Sequence, residues 1–132
     1  MINLDVLDSC LDLIKENKGA YSINITLLVN GSIISGELIH RAVYLKGVAD
    51  LLTISQDGME VSDTAKIMAK SFRNIAEEIL QNPKASEVDD EAIYMKSVVF
   101  WCQPNSNAIE KSFLVLRKDA IDGFAWGVLS DI

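Results

Sequence analysis

One histidine, two cysteines and two prolines in 132 residues close off several kinds of chemistry. His40 alone would have to serve any histidine-paired nucleophile or proton relay, and its place just before a predicted helix suits a cap or a solvated side chain better. Cys10 and Cys102 share no metal-type spacing and have no evident activating base. Both are expected as free, mostly buried thiols in a reducing compartment, with a disulfide between them as the alternative. The glycines, at 19, 31, 36, 47, 58, 123 and 127, never cluster between a strand and a helix as a phosphate-cradling loop does. Asp89-Asp90-Glu91 lacks the alternating ligands and the glycine of a calcium loop and reads as a solvated acidic turn. Glu77-Glu78 diverge on a helix and form no acid/base pair, and no serine stands in a nucleophile elbow. The expectation is no catalytic residue, no metal and no cofactor.

Positive charge is also scarce. With a formal charge of −7 and scattered basic residues, the chain offers no cationic stripe for a phosphate backbone or an anionic membrane. No apolar run approaches the ~18 residues of a membrane span, and Met1-Ile2-Asn3-Leu4-Asp5 lacks the basic start of a secretory signal. The expectation is a cytoplasmic protein that binds neither nucleic acid nor membrane.

What is present is a globular composition, 49% hydrophobic and 23% charged. It predicts one domain over residues 1–132, burying roughly two-thirds of the unfolded chain's surface. The strongest local signal is Asn30-Gly31. Ile23, Ile25, Leu27 and Val29 alternate with Ser22, Asn24, Thr26 and Leu28 up to these two residues, which tolerate the positive φ of a type I′ turn. A two-residue loop fixes the register: Val29 faces Ser32, Leu27 faces Ile34, Ile25 faces Gly36 and Ile23 faces Leu38. The other face pairs Leu28 with Ile33, Thr26 with Ser35 and Asn24 with Glu37. Gly36, inside a strand, marks a bulge, a bend or a close backbone approach.

Helices flank this hairpin of residues 21–39. Asn3 caps the first, within 1–20, where Leu4, Leu7, Leu11 and Ile14 recur at helical spacing before Gly19. Residues 40–82 read as a helical hairpin. Its first arm is Arg41 to Ile54, through Tyr44, Val48, Leu51 and Leu52, and Gln56-Asp57-Gly58 breaks it. Ser62 or Asp63 caps the second arm, whose apolar stripe is Ala65, Met68, Phe72, Ile75, Ala76 and Ile79, ending at Asn82-Pro83. Three strands follow within 92–129: Ala92 to Cys102, Lys111 to Arg117 and Gly123 to Leu129.

The order α-β-β-α-α-β-β-β predicts an α+β fold. Its five-stranded antiparallel sheet is expected to curl at Gly36 into a small, partly open barrel, loosely similar to Sm-type barrels. An open sheet with helices on one face is the competing architecture. Strand edges left open would serve a homodimer.

Aromatic residues concentrate in the last strands: Phe100, Trp101, Phe113, Phe124 and Trp126. Core packing is their ordinary use. The sharper reading is an apolar patch for another protein, which Leu28 and Ile33 would extend. An alternative is a small-ligand or enzyme site near His40 and the strand ends.

The run Ile25-Thr26-Leu27-Leu28-Val29-Asn30-Gly31-Ser32-Ile33-Ile34-Ser35-Gly36-Glu37-Leu38-Ile39, followed by Tyr44, resembles the gas vesicle accessory protein U family. Tyr94-Met95-Lys96, the turn Arg117 to Gly123, Asp122-Gly123-Phe124, Gly127 and Ser130-Asp131 resemble its C-terminal pattern. The resemblance spans both ends of the chain and is weakest in the middle helices and the loop before Lys111. It implies a non-enzymatic, cytoplasmic accessory to gas-filled protein shells, with shell or other accessory proteins as partners.

Overall fold

The computed structural model describes residues 5–17, 20–54, 58–82, 92–101 and 109–127. In chain order the elements are α1 (Asp5–Glu16), β1 (Ile23–Val29), β2 (Ser32–Ile39), α2 (Arg41–Leu52), α3 (Asp63–Gln81), β3 (Ala92–Trp101), β4 (Ile109–Arg117) and β5 (Gly123–Trp126). The strands form one antiparallel sheet in the order β4-β3-β2-β1-β5.

The hairpin is built as its turn chemistry dictates. Asn30 and Gly31 have φ of 49° and 81°, the left-handed region that a type I′ turn needs at both positions. All the register pairs expected between β1 and β2 are present, from Ile23↔Leu38 to Val29↔Ser32. Asp122 ties the turn down: its carboxylate accepts the Asn30 N–H at 2.9 Å, and its own N–H donates to Leu28 O at 2.7 Å. On the outer face Thr26 Oγ1 donates to Gly127 O at 2.8 Å, so the 2.9 Å bond between Thr26 and Ser35 uses the Ser35 proton.

Alternation sends Ile25 and Leu27 of β1, Ile34 and Leu38 of β2, and Ile93, Met95 and Val98 of β3 to one face. There α1 covers them with Leu7, Cys10 and Ile14, all buried. The opposite face carries Tyr94 and Phe113, and α2 covers these with Tyr44, whose ring centroid lies 5.0 Å from Tyr94 and 5.9 Å from Phe113. Along α2 and α3, the small buried residues Ala42, Ala49, Ala69 and Ala76 accompany close packing between the two helices. Two ion pairs link them, Lys46 to Glu77 at 2.7 Å and Arg73 to Asp50 at 3.0 Å.

The sheet is open, which corrects the expectation of a curled barrel. β4 and β5 are its two edges, and neither is paired to the other. Helices lie on both faces, α1 on one and α2 over the Tyr94 and Phe113 part of the other, so closure is not needed to cover the core, and the arrangement with helices on a single face does not hold either. The irregularity at Gly36 is taken up by its neighbour strand. Pairing between β2 and β3 shifts between Ser35 and Glu37, where Ser97 adopts φ 52°. A Cβ on Gly36 would lie 3.1 Å from the Lys96 carbonyl oxygen and 3.2 Å from Met95 Cε and Val98 Cγ2. Gly36 therefore marks a close approach beside a bulge, without bending the sheet into a barrel.

α3 begins at Ser62, whose hydroxyl accepts the Ala65 N–H at 3.1 Å. Ala69, Ala76 and Ile79 are its buried residues, whereas Met68 and Ile75, expected in the stripe, are exposed beside Ile67. β4 starts at Ile109, two residues before the predicted Lys111, and β5 ends at Trp126. The Asn3 cap, Leu4, Gly19, Gln56-Asp57, Pro83, the Asp89-Asp90-Glu91 turn, Cys102, the loop 103–107, Val128 and Leu129 lie outside the described residues. No helix among the described residues is long and apolar enough to cross a membrane.

Candidate functional site

The sheet divides the residues singled out as a partner surface. Phe100 and Phe124 are partly buried against the core on the α1 side. Trp126 lies beyond them on that side, 63% exposed and edge-on to Phe124 at 5.5 Å. Phe113 is on the opposite face beneath α2. The remaining three come together: Leu28 pairs with Ile33, and Ile33 with Trp101, giving one apolar row across β1, β2 and β3 on the face away from α1. Leu28 is 41% exposed, Ile33 and Trp101 are half-buried, and the Trp101 indole N–H is buried with no hydrogen-bond acceptor among the described residues.

His40 serves as the N-cap of α2. Its Nδ1 accepts the Ala42 N–H at 3.0 Å, which leaves the ring proton on Nε2. Burial, and secondarily the positive charge of Lys15, push its pKa below the ordinary histidine value. The cavity beside it, lined by Leu11, Ile14, Ile39 and Tyr94 among others, has a volume of about 40 Å³, room for little more than a water. This geometry is that of a structural cap.

The folded-state pKa of His40 lies below its unfolded value, so the unfolded chain takes the proton first. The capped state has its full stability above about pH 6.5 and loses it as pH falls through the lowered folded pKa. Urea midpoints measured from about pH 8 to 5 will show this loss. The variant His40→Asn, whose amide oxygen can still cap, will flatten the slope there, whereas His40→Ala will lose about 1 kcal/mol across the range.

Cys10 is a free thiol on the buried face of α1, where burial pushes its pKa up and disfavours the reactive thiolate.

A wider opening lies under the last turn of α2, on the bulged part of β3 and β4. This open cleft of about 760 Å³ is lined by Asp50 and Leu51 of α2, Lys96 and Ser97 of β3, and Lys111 and Phe113 of β4, among others. Asp50 is held by Arg73, whereas Lys96 and Lys111 make no ion pair among the described residues. The two lysines lie fifteen positions apart in sequence, and in the β3–β4 pairing Lys96 opposes Phe113, on the α2 side, whereas Lys111 opposes Val98, whose side chain is in the core on the α1 side. Lys96-Ser97, a polar pair inside the mostly apolar stretch Ala92–Trp101, is the one sign of this site in the sequence. The exposure of Leu51 on α2 and of Ile67, Met68 and Ile75 on α3 also escapes sequence reading, although Ile67 already falls off the main stripe.

The family model for gas vesicle protein GvpU-like proteins matches residues 5–129, running through the helical pair and the loop before β4 where the resemblance was weakest. This chain belongs to the GvpU-like gas vesicle protein family. No curated protein and no solved structure matches it. Among the described residues of this GvpU-like protein, no three His, Cys, Asp or Glu side chains gather where they could hold a metal. The surface features that stand out are the Leu28–Ile33–Trp101 row, on the sheet face away from α1, and the cleft beneath the end of α2.

Proposed function

We propose that this chain acts as a single unit, a cytoplasmic, non-enzymatic accessory of gas vesicles that works in their assembly or interactions by binding a shell protein or another accessory protein. The observation that carries this reading is the family match over residues 5–129. The apolar row of Leu28, Ile33 and Trp101 supports protein binding, because neighbouring apolar side chains left at the surface suit a partner better than water. Trp126 and the unpaired edges of β4 and β5 are further places where a protein, a second copy of this chain included, would dock. A formal charge of −7 argues against nucleic acid and anionic membranes as the binding surface.

The test is flotation. In a host that makes gas vesicles, the tagged full chain is expected to rise with the buoyant fraction, or to be crosslinked to a shell or accessory protein identified by mass spectrometry. A chain that stays wholly in the subnatant and crosslinks to none of these proteins would remove the proposal.

A further inference from the structure

Of the eight asparagines in the chain, only Asn30 precedes a glycine. That dipeptide carries a reaction of its own. The Gly31 main-chain nitrogen, having given its proton to solvent base, attacks Cγ of the Asn30 side chain; a carbon–nitrogen bond forms, ammonia leaves and a five-membered succinimide results. Water then opens the ring. Attack at the side-chain carbonyl gives aspartate, and attack at the main-chain carbonyl gives isoaspartate, in which the chain runs through Cβ. Glycine favours the reaction because no side chain on residue 31 crowds the nitrogen. Both residues are exposed, and nothing lies within 4 Å of the place a Gly31 Cβ would take, so water reaches the turn freely.

The folded turn holds the reacting atoms apart. With φ of 49° and 81° at Asn30 and Gly31, the turn is type I′, the mirror of type I, and Asn30 takes a ψ of about +30°. For an L-residue that ψ puts the Gly31 nitrogen roughly 150° from Cβ about the Cα–C bond, whereas ring closure needs the two nearly eclipsed. Reaction therefore waits for the tip of the hairpin to open. Besides the strand ladder, Asp122 resists opening: its carboxylate accepts the Asn30 N–H at 2.9 Å, and its own N–H donates to Leu28 O at 2.7 Å.

We propose that Asn30 is a self-modification site gated by the hairpin: it cyclises onto Gly31 only when the turn opens, Asp122 sets how often it opens, and the isoaspartate product loosens β1 from β2. The extra main-chain atom of isoaspartate no longer fits the two-residue loop on which the register depends. Its carboxylate also adds a negative charge beside Asp122. The pairs nearest the change are Val29↔Ser32 and Leu28↔Ile33. The chemistry is the chain's own and stands whether or not the apolar row binds a partner.

The test follows the full chain by peptide mapping and mass spectrometry, in neutral buffer and in concentrated urea. Conversion at Asn30 registers as the mass gain of an amide becoming an acid, with isoaspartate and aspartate peptides separated by chromatography. The folded chain is expected to convert at least about tenfold more slowly than the chain in urea, because only the opened fraction reacts. Asp122→Ala, checked for folding by its urea midpoint, should speed conversion in buffer about tenfold through the lost bond to a charged acceptor. Chains carrying isoaspartate, enriched by anion exchange on the added charge, should unfold at lower urea than the parent chain. Asn30→Asp, which carries the charge without the extra atom, should fall between.

Three results would overturn the proposal: equal rates in buffer and in urea, no acceleration in a folded Asp122→Ala chain, or an unchanged midpoint for the isoaspartate form. Where Asp122→Ala does not fold, the ratio of the two wild-type rates still decides whether the turn gates the reaction. Conversion in urea at another asparagine ahead of Asn30 would remove Asn30 as the site.

Discussion

Replacing Leu27 by alanine is expected to remove about 2–5 kcal/mol of stability, while the same change at the adjacent Leu28 will cost under about 1 kcal/mol and fall instead on partner binding. The difference comes from the pleat. Leu27 points from β1 into the core with no exposed surface, opposite Ile34 and among Leu7, Ile25, Leu38 and Met95. Truncation there forfeits the transfer of the side chain from water and leaves a cavity that a packed sheet and helix refill only in part. Leu28 points to the other face, 41% exposed, at the end of the row shared with Ile33 and Trp101. Its truncation removes little buried surface. Chemical denaturation of the two variants, read with the flotation yield, separates the two faces: Leu27→Ala should shift the urea midpoint, and Leu28→Ala the bound fraction. Equal midpoints for the two variants would contradict the assignment of faces.

Local rules carried the hairpin completely. A two-residue turn admits one register, so Asn30-Gly31 fixed every cross-strand pair of β1 and β2 before any tertiary contact was considered. The helices were legible as elements but not as surfaces. Alanine gives a weak hydrophobic signal, so the buried Ala69 was overlooked, while the more apolar Met68 and Ile75 were assigned inward and in fact face solvent. An alanine-lined contact with α2 is where small side chains matter more than large ones. Whether the sheet closes was not legible at all, since it depends on which face each helix covers, and no local spacing decides that. Gly36 illustrates the limit: the sequence marks it as irregular, but a bend in its own strand and a bulge in the neighbour look the same until β3 is in place. The cleft beneath α2 escaped for the same reason, since its lining comes from three elements distant in sequence.

Gly47 offers the sharpest test of how α2 lies on the sheet. In the interior of a helix, glycine to alanine ordinarily stabilises by about 1 kcal/mol, because alanine loses less backbone freedom on folding. Here the sign is expected to reverse. A Cβ on Gly47 would overlap Phe113 Cζ and fall 2.7 Å from Cε1. The ring is not free to swing away, since Tyr44 lies edge-on to it at 5.9 Å and Tyr94 packs against Tyr44 at 5.0 Å. Forcing a methyl group into this stack costs about 1–3 kcal/mol of overpacking, which outweighs the gain in propensity. Gly47→Ala should therefore destabilise the protein. Phe113→Leu removes the ring tip at its own cost of packing, and in that background the alanine should again stabilise. A double-mutant cycle on these two residues should yield a coupling of about 2–3 kcal/mol. Additive effects would mean that α2 does not rest on Phe113.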